Sequence, residues 1–192
     1  GLRCSAAVGY LNPIKKRSNL KIETKAHIKK IIFDGKKAIG VEYWKDNEIK
    51  KIKCQKEIIL SAGSISSPHI LQASGIGPAQ ILKKHGINII KNVEAVGKNL
   101  QDHLMLRPVY KVKNIYTLNK LYYSYYRKFL VGLEYLFLRS GPMTMGASQL
   151  CGFTKSDPSL ETPNLQFHIA PMSMDKLGGA ALHKFPAFTP TV

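Results

Sequence analysis

Residues 61–77 read SAGSISSPHILQASGIG, an apolar run bracketed by two clusters of serine and glycine. They follow residues 57–60, EIIL, a short continuously apolar run that predicts a strand covered on both faces. In α/β sheets ligands bind beside the carboxyl ends of strands, and Gly63 allows close approach of the backbone to a ligand. The stretch therefore predicts either a tight corner between a strand and a helix or one wall of a cofactor site.

A short helix is expected inside this stretch. Ser67 suits the N-cap and Pro68 the first helical position, so the pattern predicts a helix over residues 69–73. Gly75 is placed to end it. The N-terminus of such a helix offers unpaired N–H groups and the positive end of a helix dipole, both of which favour an anionic ligand.

The segment before this stretch predicts successive antiparallel strands. Asp34-Gly35 is a hairpin turn signal between two β-rich runs. After it, apolar and other residues alternate over 38–43, which predicts a half-buried strand with Glu42 on its polar side. A second polar turn at 45–47 leads into a third strand over 48–54.

The second half of the chain has a different pattern, and we place a domain boundary near residue 105. Residues 106–114 predict an exposed or edge strand, and 117–141 a long aromatic-rich amphipathic helix. Packing of this helix on a sheet is favoured over contact with a membrane surface. Further strands are expected over 147–155, 164–172 and 188–192. No apolar run reaches the roughly 18 residues that a membrane-spanning helix requires.

The chain is strongly basic, with 29 lysines and arginines against 12 acidic residues and a formal net charge of +17. Such an excess suggests affinity for polyanions, but the lysines are scattered as singles and pairs, which favours a solvated surface over a specific nucleic-acid site. Three cysteines, Cys4, Cys54 and Cys151, have no metal-ligand spacing. Because their number is odd, at least one is unpaired within the chain, and they leave the compartment undecided.

The opening stretch resembles the second signature of the glucose-methanol-choline (GMC) oxidoreductase family. Its flanks are similar to the family as well, at KAIGVEY (37–43), KEIILSAG (56–63) and VGKNLQDH (96–103). Residues 163–175 and 185–192 look closest to the insect branch named for FAD-dependent glucose dehydrogenase. The residues that meet every fixed position of the signature are Gly63, Ser64, Ser67, Pro68, Ile70, Leu71, Ser74, Gly75, Ile76 and Gly77.

The resemblance implies an α/β fold with an α+β portion. Residues 1–105 would be part of a Rossmann-like FAD-binding domain, and residues 106–192 part of a substrate-binding domain with an antiparallel sheet. It also implies FAD as the cofactor, and an extracellular location is weakly favoured. The residues that it places against the cofactor are Ile28, Ala62, Gly63, Asn99, Asp102 and His103.

Two departures from the family pattern limit this interpretation. The Gly-x-Gly-x-x-Gly motif that takes the pyrophosphate is absent, and the chain ends before the region in which the family carries its catalytic histidine. None of the six histidines is therefore assigned as a catalytic base, and no metal site is expected. We interpret the chain as an internal fragment that is inactive alone, with open sheet edges.

The resulting hypothesis is a fragment of a flavin-dependent dehydrogenase. It would oxidise the CH–OH group of an alcohol or sugar by hydride transfer to FAD and pass electrons to a quinone or another acceptor. The alternative is a non-catalytic basic binding module on a degenerate GMC scaffold.

Overall fold

The computed structural model describes residues 2–176 and 181–192. The chain forms two compact units. The first unit is Ile14–Asp102, and the second combines Gly1–Pro13 with His103–Val192. Each is described by itself.

A three-stranded antiparallel sheet opens the first unit, with β1 (His27–Asp34), β2 (Lys37–Lys45) and β3 (Glu48–Lys53) in that order. Two-residue turns join the strands, and their positive φ angles include 55° at Gly35 and 60° at Asn47. Both predicted turns are confirmed. Cys54 follows β3 and is half-buried, and no disulfide joins it to Cys4 or Cys151.

Glu42 of β2 was expected on the polar side of the sheet, but it is only 6% exposed. Lys29 of β1 lies 2.9 Å from one carboxylate oxygen, and Lys51 of β3 lies 3.6 Å from the other. The two flanking strands thus supply cations and aliphatic stems that cover Glu42 from both sides. The hydrogen bond from Lys29 lowers the pKa of the Glu42 carboxyl below its ordinary value, while burial opposes this shift.

The strand expected over residues 57–60 is not formed. These residues have no strand partner within the described chain, and Ile59 is 78% exposed. A strand is stable only when its backbone groups pair with a neighbour, and no described segment takes that place.

Helix α1 spans Gly63–Ala73, so it begins one turn earlier than expected and contains Pro68 in its interior. The Ala62 N–H donates to Oγ of Ser67 at 3.0 Å. Ser67 therefore satisfies a donor at the helix start from inside the helix, and it is not the N-cap. Gly75, with φ of 92°, follows the end of the helix as predicted.

The rest of the first unit is built around the end of α1. Strand β4 (Ile76–Gly77) pairs in parallel with β5 (Lys91–Asn92), and α2 (Ala79–Lys84) connects them. The carbonyl of Gly75 accepts the N–H groups of both Ile90 and Lys91, at 2.8 and 3.1 Å. Leu82 of α2 is fully buried and forms part of the small core.

The second unit contains a four-stranded antiparallel sheet in the order β6-β9-β8-β7. Strand β6 lies at its edge, as predicted for this part of the chain. The two backbone hydrogen bonds between Leu106 and Val192 extend the contact between β6 and β9. The strands are β6 (Tyr110–Lys111), β7 (Leu150–Thr154), β8 (Leu165–Ala170) and β9 (Ala187–Thr191).

The single helix expected over 117–141 is two helices, α3 (Leu118–Tyr122) and α4 (Tyr125–Leu138). Ser124 separates them because its side chain accepts the Arg127 N–H at 3.4 Å and caps α4. The expected packing of this segment on the sheet is not seen for α4, since none of its residues is buried. None of the described helices is long and apolar enough to cross a membrane.

Asn119 of α3 is only 1% exposed, and its side chain links the helix to Ser173 and His183. Its amide nitrogen donates to the carbonyls of Ser173 and His183 at 3.1 and 2.8 Å, and its oxygen accepts the Ser173 N–H at 2.9 Å. The His183 ring in turn lies between Oγ of Ser173 and the carboxylate of Asp175, at 2.9 and 2.8 Å. This network fixes α3 in place, and together with the Ser124 cap it accounts for two separate helices.

Replacing Gly75 by alanine tests the turn after α1. An added Cβ would lie 2.3 Å from the Asn88 carbonyl oxygen, and φ is positive. We expect the Gly75→Ala variant to lose about 3 kcal/mol in the free energy of unfolding, from backbone strain and overpacking together. The matched control is Gly86→Ala, where φ is also positive but nothing lies within 4 Å; it should lose about 1 kcal/mol. Equal losses in denaturant unfolding would contradict the close approach.

Replacing Glu42 by glutamine tests the buried carboxylate. Because its folded-state pKa lies below the ordinary 4.5, its contribution to stability is present above that pH and is lost as pH falls through the folded-state pKa. The wild-type unfolding free energy should therefore drop on acidification to about pH 3 more steeply than that of the Glu42→Gln variant. Glu48→Gln, which removes an exposed carboxylate from β3, should keep the wild-type profile. Parallel profiles for wild type and Glu42→Gln would refute the assignment.

Candidate functional site

A groove of about 620 Å³ is lined by residues of α1 from Ser64 to Gln72 and by residues 95–101. Its two walls are joined by a hydrogen bond from Nε2 of Gln72 to the Val96 carbonyl at 3.0 Å. A Cβ at Gly97 would lie 2.6 Å from that same nitrogen. Glycine at this position therefore lets the loop close on the helix.

Ala62 is the N-cap of α1 and Gly63 its first residue. Neither lines the groove, but Ser64, the next residue of the chain, does. Gly63 has φ of 86°, and an added Cβ there would meet no atom within 4 Å. The backbone at Gly63 is thus bare and open. The first turn of α1 contains no acidic residue, so its unpaired N–H groups and helix dipole favour an electron-rich ligand.

Asn99 lines the groove and has φ of 56°, in the left-handed region. Two apolar side chains of the lining are strongly exposed, Ile65 at 74% and Leu100 at 68%. The groove therefore combines open backbone with uncovered apolar surface, which suits a flat, partly apolar ligand.

Ile28 lies on β1 opposite Tyr43 and is half-buried. It does not line the groove. Its strand is nevertheless fixed to α1, because the buried hydroxyl of Ser74 accepts the Ile31 N–H at 2.7 Å. The sequence did not single out Ser74 or Gln72 as residues that position the helix, since their partners are 43 and 24 residues away.

Asp102 and His103 fall in different units. Asp102 ends the first unit and His103 begins the second. His103 lines a separate cavity of about 530 Å³ with Leu106 and Val192. Of the six residues expected at the cofactor, only Asn99 lines the groove. Ala62 and Gly63 directly precede its lining residue Ser64, and Ile28 lies on a strand attached to α1. Asp102 and His103 are the chain neighbours at which one unit ends and the other begins.

The second unit contains a further cavity, of about 490 Å³, which the sequence did not indicate. The half-buried side chain of Arg107 lines it. The cavity forms where the chain before β6 meets the ends of β8 and β9, so only long-range pairing creates it. Other lining residues are Met105, Met172, Met174, Thr189 and Thr191.

The residues described, 2–176 and 181–192, contain no group of three or more histidine, cysteine or acidic side chains that could hold a metal ion. The polar groups that line the cavities are backbone, hydroxyl, amide, imidazole, thioether and cationic groups.

Comparison with known proteins gives several relatives. The family model described as GMC oxidoreductase matches residues 1–105. The oxygen-dependent choline dehydrogenase of Chromohalobacter salexigens is 39% identical over 189 residues, which cover 97% of this chain and 34% of the relative. The alcohol dehydrogenase [acceptor] of Pseudomonas putida is 40% identical over 174 residues, which cover 89% and 31%.

Solved structures agree in fold. A formate oxidase superimposes with a TM-score of 0.80 at 24% identity, covering 93% of this chain and 36% of that one. An FAD-dependent oxidoreductase from Chaetomium thermophilum gives 0.71 at 29% identity, covering 88% and 27%. The predicted fold class, α/β with an α+β portion, is confirmed.

This chain spans about a third of the length of the curated relatives that it matches. The family model covers more than half of the chain, and the resemblance deduced from residues 61–77 agrees with it. The chain belongs to the GMC oxidoreductase family.

Proposed function

We propose that the protein carrying this chain is a flavin-dependent oxidoreductase that oxidises the CH–OH group of an alcohol or sugar, with FAD as its cofactor. Family membership supports the reaction class. The names of relatives that act on choline and on alcohols, and of an FAD-dependent neighbour, point the same way. A quinone or another acceptor would take up the electrons.

We assign residues 1–105 to part of the FAD-binding domain and residues 106–192 to part of the substrate-binding domain. The range of the family match supports this division. The change from one compact unit to the other between Asp102 and His103 supports the boundary near residue 105, whereas Gly1–Pro13 packs with the second unit. Because the chain is about a third as long as its relatives, we expect it to be inactive by itself.

The open backbone at Gly63 is the observation that carries the cofactor assignment. A planar ligand can lie against Ala62 and Gly63 because no side chain fills that space. When bound, FAD supplies the acceptor for the two electrons released as an alcohol becomes a carbonyl compound. The residues of this chain that would contact it are Ile28, Ala62, Gly63, Asn99, Asp102 and His103.

The chemistry of these residues is that of binding and orientation. Ala62 and Gly63 offer backbone, and Asn99 offers an amide in the groove. Ile65 and Leu100 can exclude water once covered, because both are strongly exposed in the groove. The sequence contains no Gly-x-Gly-x-x-Gly loop for a pyrophosphate. We therefore assign this chain a wall of the cofactor site, and none of its residues the role of catalytic base.

Anaerobic reduction of the flavin tests the proposed reaction. The protein expressed from its complete coding sequence should show flavin absorbance that bleaches when a substrate alcohol is added without oxygen. A subsequent quinone should restore the absorbance. The same treatment of the isolated 192-residue chain should give no bleaching. A full-length protein with bound flavin that no alcohol or sugar reduces would contradict the proposal.

Replacing Gly63 by alanine tests the cofactor wall. We expect the Gly63→Ala variant to bind FAD at least about 10-fold more weakly, because the added methyl group occupies the ligand's space. The matched control is Gly35→Ala, where φ is likewise positive and nothing lies within 4 Å of an added Cβ. Both variants should lose about 1 kcal/mol of stability, but only the first should lose FAD affinity in a fluorescence titration. Unchanged affinity in Gly63→Ala would remove Gly63 from the site.

A further inference from the structure

The cavity beside Arg107 is lined by thioether, hydroxyl and guanidinium side chains. Three methionines, Met105, Met172 and Met174, supply flexible apolar surface, and Thr189 and Thr191 supply hydroxyls. The cavity is partly open to solvent, and its volume of about 490 Å³ is within the range of pockets for small molecules. The lining can therefore hold a short carbon chain that has polar ends.

Arg107 is the one fully charged lining residue among those described, and it has no counter-ion. No ion pair or hydrogen bond of its guanidinium is found within residues 2–176 and 181–192, and the side chain is half-buried. A partly desolvated cation without a partner is costly, and an anionic group offsets that cost. Guanidinium binds a carboxylate through two parallel hydrogen bonds, so a carboxylate is the matching ligand group.

A quaternary ammonium group, the cation of choline, needs different surroundings from a carboxylate. It is bound by carboxylates or by a cage of aromatic rings. No aspartate, glutamate, phenylalanine, tyrosine or tryptophan lines this cavity in the described chain, and the one aromatic ring among its lining residues is that of His168, which is hydrogen-bonded to Gln166. Asp175 lies next to Met174 in sequence, but its carboxylate is hydrogen-bonded to His183 and does not line the cavity.

The net charge of the chain also favours an anionic over a cationic ligand. A formal charge of +17 creates a positive potential that attracts anions and repels cations over distances of about a Debye length. Within this chain, the charge therefore favours an anionic over a choline-like ligand.

We propose that this cavity binds the substrate and that the substrate class is a hydroxycarboxylate: an alcohol with a short apolar body and a carboxylate that Arg107 recognises. The methionines pack against the carbon chain, and Arg107 determines specificity. This inference rests on the proposed function, which leaves the alcohol or sugar unspecified. Glucose-like neutral substrates fall outside the class.

Three matched alcohols test it with the full-length, flavin-loaded protein. They are choline, its neutral isostere with a carbon in place of the nitrogen, and a hydroxycarboxylate of the same chain length. The hydroxycarboxylate should exceed choline in kcat/KM by about 100-fold or more. In Arg107→Gln its kcat/KM should fall about 10- to 100-fold, with the loss mainly in KM, while the neutral isostere changes less than about 3-fold.

Lys113→Gln is the matched control, because it removes one positive charge from an exposed residue of the same unit outside the cavity. It should leave all three substrates unchanged, and Arg107→Lys should keep part of the preference. Choline as the best substrate, or an equal loss for all three alcohols in Arg107→Gln, would overturn the proposal.

Direct binding separates this inference from the proposed function. Calorimetry with the hydroxycarboxylate should show binding to wild type and at least about 10-fold weaker binding to Arg107→Gln, whether or not the protein turns over. A protein without flavin or turnover that still shows this difference would contradict the proposed function and support the role of Arg107. Flavin reduction by neutral alcohols without carboxylate binding would support the function and refute the hydroxycarboxylate.

Discussion

Helix α1 is held at its C-terminal end by two contacts on which the candidate groove depends. The Ser74 hydroxyl accepts the buried Ile31 N–H and so attaches the helix to β1. One residue later, Gly75 adopts a positive φ and offers its carbonyl to the chain that enters β5. No side chain fits at Gly75 beside the Asn88 carbonyl, so the close approach of the two segments requires glycine at this position. The other end of α1 then lies free beside the loop over 95–101.

This arrangement explains why small residues are concentrated in residues 61–77. Those at the C-terminal end serve packing, since Gly75 and Gly77 lie against other chain segments. Gly63 at the N-terminal end has empty space beside it. Gly75 and Gly77 thus allow chain segments to pack closely, whereas Gly63 leaves open space for a ligand. The same short stretch therefore contains the tight corner that its sequence suggested at Gly75, and open backbone at Gly63 where we propose the wall of a site.

Local signals in the sequence predicted the local structure well. The hairpin turns at 35 and 46–47 depend on neighbouring residues only, and the family signature is likewise contiguous. Contacts between distant residues explain several of the errors. Glu42 is buried because lysines from two flanking strands reach it, and α3 stops because Asn119 is held by residues more than 50 positions away. Residues 57–60 have the composition of a strand but no described neighbour to pair with. The cavity of Arg107 arises from strand pairing that no local pattern encodes.

The central claim is that this chain supplies a wall of an FAD site. Denaturing the purified full-length protein and identifying the released cofactor by mass and absorbance tests it most directly. The account predicts FAD in a ratio of about one per protein chain. Reconstitution with added FAD should bring any deficient preparation to the same ratio. A folded full-length protein that releases no flavin and takes up none would contradict the account.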